Sequence, residues 1–137
     1  QAGEPFHAGL SGARNSVWWR YTPAVSGSIT ITTAGSGFDT VLAVYTGSSV
    51  GALSSVASND DAGGGRQSSV TFSGIAGTQY QIAVAGYNNA AGNIQFLRHP
   101  DAATVFAERA MRLRQLAAGH TMGDFLKFAA LLAAHTR

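Results

Sequence analysis

The chain of 137 residues contains no cysteine, which excludes disulfide staples, thiolate metal sites and thiol nucleophiles. Charge is also scarce: Asp, Glu, Lys and Arg make up 12% of the residues and the net charge is +2. That balance suits neither a nucleic-acid-binding domain nor a charge-rich disordered segment. No apolar run reaches the ~18 residues of a membrane-spanning helix. The chain opens at Gln1 with neither Met nor a basic-then-apolar leader, as expected of a processed protein or a fragment. Its length fits one domain, or one domain plus an appendage, with enough chain to bury a core.

Several chemistries lack the spacing they need. His7, His99, His120 and His135 show no HxxxH or HxH pattern, so zinc is unsupported, and no Walker-type loop is present. Gly47-Ser48-Ser49-Val50-Gly51 matches the serine-hydrolase GxSxG pattern, whose mechanism requires a strand, a sharp turn and then a helix. Here both flanks, LAVYTG and LSSVAS, are strand-like, so the motif reads as a hairpin loop and the protein as a non-enzyme. Arg109, Arg112 and Arg114 read as a solvated helix face.

What is present divides near His99. Before it lie most of the 17 glycines and short runs rich in Val, Ile, Thr and aromatics; after it come Ala, Leu and Arg with little Gly. The first part predicts strands at Val17 to Val25, Ser28 to Thr33, Thr40 to Thr46, Leu53 to Ser58, Ser68 to Ser73, Gln79 to Gly86 and Gly92 to Leu97. Alternation puts Ile29 with Ile31, Val70 with Phe72, Tyr80 with Ile82 and Val84, and Ile94 with Phe96 on packing faces, with Ser, Thr and Gln opposite. TVLAVYTG, apolar on both faces, belongs in the centre of a sheet. The second part predicts a helix from a cap at Asp101 through Ala118, stopped by Gly119. A second helix opens at a Thr121/Asp124 capping box and is apolar nearly all round. The fold class is therefore mainly β, an antiparallel sandwich with a C-terminal two-helix extension, divided as residues 1–98 and 99–137.

Two features point to binding. In Ser58-Asn59-Asp60-Asp61-Ala62-Gly63-Gly64-Gly65, adjacent carboxylates precede three glycines. That is either a polar turn that needs no ligand or an oxygen cage for a hard cation such as calcium, and spacing alone leaves both open. Trp18 and Trp19 with Tyr21 form a possible aromatic platform for sugars, although alternation sends the two tryptophans to opposite faces.

The succession EPFHAG, SVWWRYTPAVSGSITITT, FDTVLAVYTG, VASNDDAGGGRQSSVTF, GTQYQIAVAGY and AGNIQF, over about residues 3–97, resembles the pre-peptidase C-terminal (PPC-like) modules of bacterial secreted proteins. The resemblance implies a jelly-roll-like sandwich, secreted or at the cell surface, that binds calcium and a protein or extracellular polymer without catalysis. Carried onto this chain, it implies a calcium site at Asn59, Asp60 and Asp61, with Asp39 and Glu4 as companions. The tail, VFAERAMRLRQLAAGHTMGDFLKFAALLAAHTR, is similar instead to the N-terminal helical segment of the formate dehydrogenase accessory protein, following RxxRLRxLAxxxxxGDxLxFxALxA. That likeness implies a cytoplasmic maturation factor whose CxxC modules this chain does not contain. Phe125, Phe128, Leu131 and Leu132 are the expected partner-binding or self-association residues.

Overall fold

The computed structural model describes residues 3–100 together with Arg109 and Ala110. The chain divides into two units, Gln1–Thr104 and Val105–Arg137. Among the described residues of the first, seven strands are laid down in order: β1 (Arg14–Tyr21), β2 (Gly27–Thr32), β3 (Thr40–Thr46), β4 (Ser54–Asn59), β5 (Ser69–Gly74), β6 (Tyr80–Gly86) and β7 (Leu97–Pro100). They form a four-stranded sheet in the order β1-β6-β3-β4 and a three-stranded sheet in the order β5-β2-β7. All pairings are antiparallel.

Period-two alternation builds the core. Leu42, Val44, Tyr80, Ile82 and Val84 from the larger sheet meet Ile29, Ile31, Val70 and Phe72 from the smaller, and Trp19, Tyr21, Ile94 and Phe96 pack round them. The indole of Trp19 stacks on Phe96 with centroids 4.7 Å apart. β3 is buried along nearly its whole length because its odd-numbered residues face a second cluster, Ala43 and Tyr45 with Ala83, to which Trp18 and Leu53 add cover. Both faces of the strand are shielded, as its unbroken apolar run requires. On the outer face of the smaller sheet, Thr30 and Thr71 stand directly opposite each other and their hydroxyls hydrogen-bond at 2.8 Å.

The structure corrects the sequence expectations in three places. First, the described residues form a two-sheet β structure, and the expected C-terminal two-helix extension is not seen among them. The only helices in residues 3–100 are 3-10 turns at His7–Gly9, Val50–Ala52 and Tyr87–Asn89. Apart from Arg109 and Ala110, the segment expected to be helical lies outside the described residues, as do Phe125, Phe128, Leu131 and Leu132. Second, a jelly roll uses eight strands in two Greek keys, whereas the described residues form seven, four in one sheet and three in the other. Third, Gly92 to Phe96 is not a strand. Asn93 accepts from the Gly37 amide at 3.1 Å, and the Gln95 amide donates to Ser36 Oγ at 2.9 Å, so this segment bonds to the turn after β2. Regular pairing with β2 begins only at Leu97.

Candidate functional site

The β3–β4 register assembles an acidic cluster. Leu42 lies opposite Asn59 and Val44 opposite Ala57, so the start of β3 and the end of β4 share one edge of the sheet. Asp39 immediately precedes β3, and Asp60 and Asp61 immediately follow β4. One carboxylate oxygen from each of the three lies within 4.8 Å of the others. Oδ1 of Asp39 and Oδ1 of Asp60 are buried atoms with no hydrogen-bond partner. Burial, then the charges of Asp61 and Asp39, raise the pKa of Asp60 above its ordinary value.

Buried hydroxyls hold this edge from behind. Thr33, Thr40 and Ser68 are each fully buried, and the two threonine hydroxyls hydrogen-bond at 2.7 Å. The Ser68 amide donates to Thr33 Oγ1 at 2.8 Å, while Ser68 Oγ donates to the carbonyls of Thr40 and Asp60. The ends of β2, β3 and β4 are thereby tied to the start of β5, and the backbone carrying Asp60 is fixed. The loop beyond closes on itself through Ala62 N–H to the Gln67 carbonyl at 2.8 Å, with Gly63 and Gly64 at positive φ. Sequence reading missed these hydroxyls, since Ser and Thr in an alternating strand signal a wet face; nothing local marks the three that turn inward.

The other sequence-predicted ligands stand elsewhere. The Asn59 side chain serves its own loop, accepting from the Ser69 amide at 3.0 Å and donating to the Asp61 carbonyl at 3.3 Å. Glu4 belongs to a separate network on the outer face of the larger sheet. Its carboxylate accepts from Ser16 Oγ at 2.5 Å and Trp18 Nε1 at 3.2 Å, and lies 3.5 Å from His7 Nε2. That last approach permits charge attraction but lacks the alignment of a hydrogen bond. His7 Nδ1 hydrogen-bonds the Tyr45 hydroxyl at 2.8 Å. Burial lowers the His7 pKa against the opposing pull of Glu4, and burial followed by the Glu4 charge pushes Tyr45 up to about 12.

Trp18, Trp19 and Tyr21 do not share one surface. Trp19 and Tyr21 face the core, and the Arg98 guanidinium sits 4.5 Å above the Tyr21 ring, whereas Trp18 lies on the outer face beside His7 and Tyr45. Ser49 lies in the β3–β4 hairpin, ahead of the three-residue turn Val50–Ala52. The preceding Gly47 is required sterically: at its φ of +127° a Cβ would meet the Ala52 carbonyl oxygen at 2.6 Å.

Fold and site thus define a small two-sheet β module carrying an acidic cluster at one sheet edge. Among known families, the model described as "FdhE, N-terminal" matches residues 94–135, which includes β7. Comparison with curated proteins and with solved structures finds no match. No helix among the described residues is long and apolar enough to cross a membrane.

Proposed function

We propose that the β module is a non-catalytic binding unit stabilised by a divalent cation, calcium by preference, held by Asp39, Asp60 and Asp61. The supporting observation is the convergence of three carboxylates within 4.8 Å, two of them with buried, unpartnered oxygens. Two oxygens on one calcium ion, each at about 2.3–2.6 Å from the metal, stand at most roughly 5 Å apart, so the cluster has the right span. Backbone carbonyls and water would complete the shell of a hard cation. The ion would cancel the mutual repulsion of the acids and pin the glycine-rich loop to the sheet edge. Isothermal titration of the full chain with calcium chloride tests this: saturable binding that Asp39→Asn abolishes supports the reading. No heat at millimolar calcium retires it.

A second reading is favoured by the family match at residues 94–135. In it the chain is a fragment of a formate dehydrogenase maturation factor acting by protein contact, with Phe125, Phe128, Leu131 and Leu132 at the interface. The match bears on this reading more directly than any observation bears on secretion, and it favours a cytoplasmic setting. Gel filtration of the full chain with purified formate dehydrogenase would show co-elution, lost in Leu131→Asp. Separate elution of the unaltered chain would refute it.

A further inference from the structure

The outer face of the larger sheet carries an open cleft of about 400 Å³ between β1 and the β3–β4 hairpin. Trp18 and Leu53 give it apolar surface, and Arg20, Ser48, Gln79 and Gln81 line it with polar groups. Trp18 and Leu53 are seated on the buried cluster of Ala43, Tyr45 and Ala83, with Ala83 opposite Trp18 in the register and Ala43 next across the sheet. The Trp18 indole is held in place through its N–H, which is directed to Glu4 and Ser16, and by edge-on contact with His7 at 5.3 Å.

The polar groups are also arranged in advance. Gln81 Nε2 donates to the Gly47 carbonyl at 3.2 Å and to Gln79 Oε1 at 3.0 Å, which occupies both of its N–H groups. Its own carbonyl oxygen remains as an acceptor, and the Gln79 amide nitrogen remains as a donor. Arg20 is exposed and has no ion-pair partner among the described residues, and the Ser48 hydroxyl can serve either way. A fixed aromatic surface beside alternating donors and acceptors, with no carboxylate in the lining, matches one chemistry. A pyranose offers an apolar C–H face for the indole and hydroxyls that both give and accept. A single arginine is too little positive charge to hold a polyanion, and the polar lining disfavours an apolar ligand.

From this we infer that the cleft binds a neutral sugar unit of an oligosaccharide, its ring against Trp18 and its hydroxyls on Gln79, Gln81, Ser48 and Arg20. The cleft is separate from the acidic cluster, and this inference stands whether or not that cluster takes a cation. Because the cleft is open, the affinity expected is weak, with a dissociation constant on the order of 1 mM.

The test is titration of tryptophan fluorescence of the full chain with three soluble hexasaccharides, run with calcium and again with chelator. The three are β-1,4-linked glucose, β-1,4-linked N-acetylglucosamine and α-1,4-linked glucose. At least one should give a saturable change, with Gln79→Ala and Arg20→Ala each weakening it at least fivefold while the melting temperature holds. Both substituted residues are exposed, so folding is preserved. Absence of a saturable change with all three sugars overturns the inference, and so does binding that survives both substitutions. Binding retained in chelator keeps the result independent of the cation reading.

Discussion

Neutralising Asp60 should change stability in opposite directions depending on whether calcium is present. Its carboxylate stands with those of Asp39 and Asp61, oxygens within 4.8 Å. At that spacing each like-charge pair costs about 1 kcal/mol in water-like surroundings and about 3 kcal/mol at an effective dielectric constant of ~20. Asp61 is exposed and the other two only partly buried, so screening places the cost near the lower figure. In chelator, Asp60→Asn should therefore gain about 0.5–1 kcal/mol, a rise of several degrees in melting temperature. At calcium near 100 times its dissociation constant the unaltered chain gains about 2.7 kcal/mol, which the variant forgoes. The order of the two melting curves should invert between the two buffers. The pH dependence follows in sign: since the folded pKa of Asp60 lies above 3.8, its contribution in chelator is most favourable below that value. It is lost as pH rises through the raised folded pKa, and the difference between the unaltered chain and the variant isolates it. Thermal melts by circular dichroism, with calcium and with chelator, give the answer. If Asp60→Asn is less stable in both buffers, the carboxylate is serving a structural hydrogen bond and the repulsion argument fails.

Three further outcomes are expected. Because burial lowers the folded pKa of His7 below 6.5, the folded state binds fewer protons there; stability should fall as pH drops through 6.5 toward the lower folded value. His7→Gln should flatten that part of a melting-temperature profile, and an unchanged slope would place the titration elsewhere. Gly47→Ala should cost about 2 kcal/mol in urea denaturation, from positive φ and the clash with the Ala52 carbonyl; a loss below 0.5 kcal/mol would mean roughly that the hairpin relaxes freely. Ser68→Ala strands the Thr40 and Asp60 carbonyls and should cost about 1–3 kcal/mol by the same measurement, with an unchanged midpoint counting against the hydroxyl brace.

Alternation along the chain was enough to recognise six of the seven strands, because side-chain direction in a strand reverses at every residue and leaves a local trace in the sequence. β3 was legible to its ends, from Thr40 to Thr46, since a run apolar on both faces can lie only inside a sheet. The ends of β1 were not. Asn15 at φ +58° and the register shift between Arg14 and Val17 mark an irregularity that alternation does not anticipate. The last strand slipped because Asn93 and Gln95 found hydrogen bonds in the turn between β2 and β3, a choice made by residues some sixty positions away.

Sequence by itself established the β character of the chain ahead of His99, the central place of β3, the adjacency of Asp60 and Asp61, and the opposed directions of Trp18 and Trp19. Each follows from neighbours along the chain. Tertiary structure decided which distant groups meet: Asp39 with Asp60 and Asp61 through the β3–β4 register, Glu4 with Ser16 and Trp18, and Thr33, Thr40 and Ser68 in one buried hydrogen-bonded set. Strand pairing and loop closure set those meetings, and their energies depend on contacts between segments that periodicity along a single strand does not encode.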